Sequence, residues 1–294
     1  MTERVRVSVP ATSANLGPGF DSIGVALALR GELELSIVAE PAPLPTDRGE
    51  QMALGAAQQA YRLLGCAAPP LQARIAGAVP VGRGLGASAI VRVGAVVAAA
   101  ALAGDELGAE QLLALAAELE GHADNAAPAL LGGLQVVVWE ESRVLHVRLP
   151  LPADLTAVLF VPELEMPTHE SRRLLPESLS RRDVVHNTGR VALLVAGLAA
   201  GRLDVLRTAT QDLLHQPARS QLFPAMYEIF RAAEQAGALC AYLSGGGSTV
   251  LALTRGGEDA VAEAMATAGA AGGAPGRTLI TTLSDTGAQI VERA

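Results

Sequence analysis

The chain runs to 294 residues, half of them hydrophobic but only 3 % aromatic, so its core must be built from Ala, Val and Leu rather than from rings. A formal net charge of −8 offers no basic face to a phosphate backbone and argues against a nucleic-acid binder; a metabolite is the better-fitting partner. All 22 basic residues are arginine, which excludes the Gly-Lys-Ser/Thr phosphate loop, the strand lysine of protein kinases and any Schiff-base lysine.

In chain order, residues 4–9 and 32–38 alternate as strands, and 51–64 has helical spacing stopped by Gly65. A short strand over 71–75 enters a glycine-rich turn, and helices are predicted over 88–102, ended by Gly104, and over 108–120. Residues 135–139 and 143–147 read as a hairpin around the polar turn Glu140-Glu141-Ser142. After the break at Pro150-Leu-Pro152 come a strand over 156–161, a proline-punctuated loop, and helices over 181–200, 202–214 and 224–235. The end reads strand 238–243, glycine turn 244–247, strand 249–253, helix 258–268 and strand 277–283, which predicts an antiparallel sheet with helices on one face. The boundary at residue 150 divides the chain into domains 1–150 and 151–294, and no internal repeat is visible.

The first seven residues alternate like a strand and lack the apolar run of a secretory leader, and no apolar stretch reaches bilayer length. Cys66 and Cys240 have no Cys-x-x-Cys spacing, so both are expected to be reduced packing residues in a cytoplasmic protein that meets no membrane.

Three segments carry chemistry. Pro80-Val81-Gly82-Arg83-Gly84-Leu85-Gly86-Ala87-Ser88-Ala89-Ile90 runs from a glycine turn straight into a helix, where freed backbone N–H groups seat a phosphate. Gly84-x-Gly86-x-x-Ala89 with Asp105 downstream also fits a dinucleotide fingerprint, but Pro80 interrupts it and no alternating βαβ units follow. Pro10-Ala-Thr-Ser-Ala-Asn-Leu-Gly-Pro-Gly-Phe-Asp21 places Asn15 and Asp21 around a tight turn directly after the first strand. Glu118-Leu-Glu-Gly-His-Ala-Asp-Asn125 breaks an apolar run with clustered polar side chains; one histidine among carboxylates is no zinc pattern but is compatible with a hard cation completed by phosphate oxygens.

Together with Leu243-Ser-Gly-Gly-Gly-Ser-Thr-Val-Leu-Ala-Leu253, Thr168-His-Glu-Ser-Arg172 and His215-Gln-Pro-Ala-Arg219, these segments resemble the GHMP kinase superfamily, and within it the homoserine kinases. The matches are co-linear from residue 5 to 253. The resemblance implies an α+β fold of two domains, an N-terminal nucleotide-binding domain and a ferredoxin-like C-terminal domain, with the site in the cleft between. It implies transfer of the γ-phosphoryl of ATP to the hydroxyl of L-homoserine, with a mevalonate-like or sugar alcohol as the alternative acceptor. Residues 80–90 would hold ATP, and Ser88 with Glu118 would hold Mg2+, Glu120 being the neighbouring candidate. Asn15 and Asp21 would meet the substrate ammonium, Thr168, Arg172 and Arg219 its other end, and His122 and Asn125 would orient its hydroxyl, with Asp124 a candidate base. A homodimer is the family's common state, though no motif specifies one. Ala87 and Ser248 depart from the family pattern, as does Arg92, which is expected to reach solvent.

Overall fold

The computed structural model describes residues 3–77, 79–104, 107–141 and 143–294. Strand β1 (Arg4–Ala14) buries Val5, Val7, Val9 and Ala11 on one face and pairs antiparallel with the long β2 (Ile23–Ile37). The 15 residues of β2 suffice for two neighbours on its other edge: β3 (Leu71–Gly77) pairs with 31–37, and β4 (Leu134–Glu140) with 23–25. Strand β5 (Arg143–Leu149) completes the hairpin with β4.

Helix α1 (Arg48–Leu63) is capped by Asp47, whose side chain accepts from the Glu50 N–H. Helix α2 (Ala87–Ala103) runs through the middle of the first half and is buried on nearly every side, which its alanines permit. A Cβ at Gly94 would already stand 2.9 Å from Cβ of Leu33, so the helix lies close against β2. Helices α3 (Ala109–Glu120) and α4 (Ala126–Leu131) complete this half.

The second sheet contains β6 (Thr156–Pro162), β7 (Cys240–Leu243), β8 (Val250–Thr254) and β9 (Gly276–Thr282), in the antiparallel order β7-β8-β6-β9. With α5 (Thr168–Arg173), α6 (Arg181–Ala199), α7 (Leu206–Ala209), α8 (Gln216–Arg219) and α9 (Met226–Gln235) before β7, and α10 (Glu258–Ala271) before β9, this is the expected ferredoxin-like arrangement. Along β6, Val158 and Phe160 face a small core with Met226, Ile229 and Met265. The alternate residues Ala157, Leu159 and Val161 join the large core of the first half.

Three expectations need revision. The helix over 202–214 is broken: a 3-10 turn at 203–205 leads into α7, and the Asp212 carboxylate then accepts from the N–H groups of Leu214, His215 and Gln216, starting a new direction. A strand not anticipated, β10 (Gln289–Arg293), pairs with β1, so the chain end returns to the first sheet and crosses the expected boundary at 150. Cys66 is exposed rather than packed, whereas Cys240 is buried and burial pushes its thiol up to about 12. Among the described residues the pairing in both sheets is antiparallel, with no parallel dinucleotide-binding unit; Asp105 lies outside them, as does Ser142 of the hairpin turn. Among the described residues no helix is long and apolar enough to cross a membrane.

Candidate active site

The turn between β1 and β2 holds Asn15, Leu16 and Asp21 at positive φ (72°, 46° and 56°). Asn15 fixes it: its Nδ2 donates to the Gly245 carbonyl at 2.9 Å, and its Oδ1 accepts from the Asp21 N–H at 3.0 Å. The amide is therefore committed to presenting Asp21 rather than left free for a ligand. At Gly17 (φ +82°) a Cβ would stand 2.1 Å from the Thr210 carbonyl oxygen, so only glycine fits between turn and second half.

The glycine turn lies against the loop after β7. A Cβ at Gly84 would stand 2.0 Å from the Ser244 carbonyl oxygen, and one at Gly86 2.0 Å from Thr12 Oγ1. Ser244 Oγ donates to the Gly84 carbonyl at 2.7 Å, and the Thr249 N–H to the Arg83 carbonyl at 3.0 Å. Gly86 is the N-cap of α2 and has no side chain to cap it, so the first-turn N–H groups point with the helix dipole into the cleft. Arg83 turns away, donating to the carbonyls of Pro162 and Glu163 at 2.9 and 2.8 Å, so it fastens the turn to the second half. Ala89 and Ile90 are buried among core residues.

At the end of α3 the structure separates two carboxylates that the sequence left together. Glu120 has a side chain only 2 % exposed; its Oε2 accepts from Ser88 Oγ at 2.9 Å, and Arg92 Nη1 lies 2.8 Å from its Oε1. Glu118 is exposed in a surface hollow with Gln111 and Trp139, because residues two apart point to opposite faces of a helix. Glu118 is thus not beside Ser88; Glu120 is. Arg92 pairs with Glu120 instead of reaching solvent. His122 Nδ1 is 2.8 Å from Asp124 Oδ1, at ion-pair distance without straight hydrogen-bond geometry. Burial opposes its charged form, but Asp124, Glu120 and Asp21 outweigh burial and raise its pKa. Asn125 Nδ2 donates to Asp124 Oδ1 at 3.3 Å, and its Oδ1 accepts from Thr12 Oγ1 at 2.7 Å.

Across the cleft, Arg172 on α5 holds Asp21 with two hydrogen bonds of 2.8 Å. Arg219 on α8 is 1 % exposed and donates through Nη1 to His215 Nδ1 at 2.8 Å and to the Gly245 carbonyl at 3.0 Å. Burial, helped by the neighbouring Arg172 charge, pushes Arg219 down to about 10. The Phe20 ring is within cation–π reach of both guanidiniums, 5.2 Å from Arg172 Cζ and 5.4 Å from Arg219 Cζ. Thr168 opens α5, but its side chain lies outside the described residues.

Asn15, Asp21, His122, Asp124, Asn125, Arg172 and Arg219 meet the glycine turn in one cavity of about 230 Å³. A second cavity of about 570 Å³ adjoins it through Val81, Ala87 and Ser88 and is walled by Met52, Ile75, Val79, Ile90 and Val91. Sequence reasoning missed this apolar chamber, and missed Thr12 and Phe20. Ile75, 37 % exposed on β3, is one of the apolar side chains that line the chamber.

The site is thus an uncapped helix N-terminus beside a mixed-charge pocket, in a cleft lined from both halves of the chain. Residues 51–133 match the GHMP kinases N terminal domain and residues 194–271 the GHMP kinases C terminal family. The chain is 43 % identical to the homoserine kinase of Moorella thermoacetica, over 89 % of this chain and 91 % of that protein. It is 41 % identical to a homoserine kinase of Thermus thermophilus, over 94 % of both. The crystal structure of homoserine kinase from Cytophaga hutchinsonii superposes with a TM-score of 0.89 at 29 % identity, covering 99 % of this chain and 98 % of that one. The chain belongs to the homoserine kinase family of the GHMP kinases.

Proposed function

We propose that this chain transfers the γ-phosphoryl group of ATP to the side-chain hydroxyl of L-homoserine, forming O-phospho-L-homoserine. The observation that carries the reading is the charge set of the smaller cavity: two guanidiniums and two carboxylates line a space that opens onto the N-terminus of α2, and of the carboxylates Asp124 is engaged by His122 and Asn125, which leaves Asp21 to face the guanidiniums. An α-amino acid satisfies that set, its ammonium on Asp21 and its carboxylate on Arg172 and Arg219. A mevalonate-like acceptor has no ammonium and leaves Asp21 without a ligand partner.

The nucleoside fits the apolar chamber, and the triphosphate crosses Gly84, Gly86, Ala87 and Ser88, whose main chain supplies donors where other folds use lysine. Ser88 and Glu120, a hydroxyl and a nearly buried carboxylate 2.9 Å apart, form an oxygen pair suited to a hard cation. Among the described residues no group of three or more His, Cys, Asp or Glu could hold a metal by itself, so phosphate oxygens must complete the shell. Mg2+ held there would neutralise charge on the phosphates.

Phosphoryl transfer demands positioning more than covalent chemistry. Asn125, fixed by Thr12, and His122, fixed by Asp124, orient the acceptor hydroxyl toward the γ-phosphate. Asp124 is 2 % exposed and is engaged by both neighbours, so it serves to hold them rather than to remove a proton. A coupled ADP-release assay with homoserine, mevalonate and galactose offered separately tests the reading, with the product identified by phosphorus NMR. Turnover with homoserine alone is expected; turnover with mevalonate and not homoserine would overturn it.

A further inference from the structure

His215 has no place in the chemistry just described, yet it is wholly buried between the two halves of the cleft. Its Nε2 lies 2.7 Å from the Gly17 carbonyl oxygen and its Nδ1 lies 2.8 Å from Arg219 Nη1. A carbonyl only accepts and a guanidinium only donates, so the ring must be neutral, with its proton on Nε2. The Asp212 carboxylate 3.7 Å away does not compete for that proton, because it already accepts from the N–H groups of Leu214, His215 and Gln216 and from Asn187 Nδ2. One imidazole therefore joins Arg219 on α8 to the turn that begins at Asn15 and ends at Asp21. The same ring lies 5.4 Å from Phe20, which both Arg219 and Arg172 approach.

We propose that His215 is the positioning residue that sets the pocket's selectivity for an α-amino acid: by tying Arg219 to the Gly17 turn it fixes the distance between the carboxylate-binding guanidinium and the ammonium-binding Asp21. The inference rests on the homoserine reading and adds to it a residue that touches no substrate. A substrate carrying both charges at the α-carbon gains from that fixed distance; one lacking the carboxylate does not.

The test compares wild type with His215→Phe, which keeps a ring against Phe20 but loses both hydrogen bonds, and His215→Gln, whose amide can donate to Gly17 and accept from Arg219. Homoserine and 3-amino-1-propanol, its carboxylate-free analogue, serve as substrates or as competitive inhibitors. In His215→Phe the homoserine KM is expected to rise roughly ten- to hundredfold, the loss of a hydrogen bond to a charged group, with kcat and the ATP KM within about twofold. The constant for 3-amino-1-propanol should not move, so selectivity falls by the same factor, and His215→Gln should recover most of it. An equal change for both ligands, no change for homoserine, or no recovery in His215→Gln would overturn the proposal. Should His215→Phe not fold, 15N-histidine spectra of the wild type decide. The Nδ1 resonance of His215, assigned by its absence in His215→Gln, is expected to shift with homoserine and not with 3-amino-1-propanol; no shift would equally overturn it. Arg219→Ala separates the two readings: if it raises the homoserine KM and His215→Phe does not, homoserine recognition stands and the role of His215 falls. A wild type inactive on homoserine would sink both.

Discussion

At the scale of single residues, two neighbouring carboxylates show what a sequence leaves open. Glu118 and Glu120 are equivalent as letters, but only Glu120 has its side chain turned inward to Ser88 and Arg92. Glu120→Gln is expected to raise the magnesium concentration needed for half-maximal activity about tenfold or more, while Glu118→Gln leaves it unchanged; titration of MgCl2 at fixed ATP checks both. Asp21 stood out by its place after the Gly17-Pro18-Gly19 turn, whereas Arg172 and Arg219 were marked only by the resemblance of their segments to the family's motifs. What could not be read was who holds whom. Asn15 braces Asp21 instead of facing the cavity, Arg83 points out of the phosphate turn, and Arg92 closes on Glu120. Each outcome involves a partner more than 20 residues away, Gly245 for Asn15, Glu163 for Arg83 and Glu120 for Arg92, which no local pattern encodes.

At the scale of elements, the long strands and helices followed from periodicity, and α2 could be foreseen down to its Gly104 stop, where φ is 110°. The pieces that escaped are short or depend on distant partners. Helices α4 and α5 have six residues each, too few to show a period, and β10 exists only because β1 offers it an edge. The glycine turn allows a paired test of packing against backbone freedom. Gly82 and Gly84 both have positive φ, but a Cβ at Gly82 meets nothing within 4 Å, whereas one at Gly84 collides with Ser244. Gly82→Ala should cost about 1 kcal/mol of stability, and Gly84→Ala roughly 2–4 kcal/mol with a raised ATP KM; urea melts and initial rates measure the difference.

For the whole molecule, the expected division at residue 150 separates neither the sheets, since β10 joins the first, nor the cores. One continuous apolar cluster runs from Val5 and Leu33 through Leu159 to Leu251, so the second sheet is covered on both faces. The chain end adds a second tie, with Glu292 paired to Arg4 and Arg6 across β10 and β1. A chain ending at residue 288 should melt at least about 4 °C lower, the equivalent of roughly 1–2 kcal/mol at this size, and should associate through the bared edge of β1; calorimetry and gel filtration report the two effects. That shared core bears on how ligands come and go. Jaws that swung apart would wet Leu159 and Leu251, so the hinge is in effect welded shut. Within the cleft Arg172, more than a third exposed, clasps Asp21 from the opposite half. A visitor with only one charge leaves that latch half undone, whereas a zwitterion replaces both of the grips it breaks.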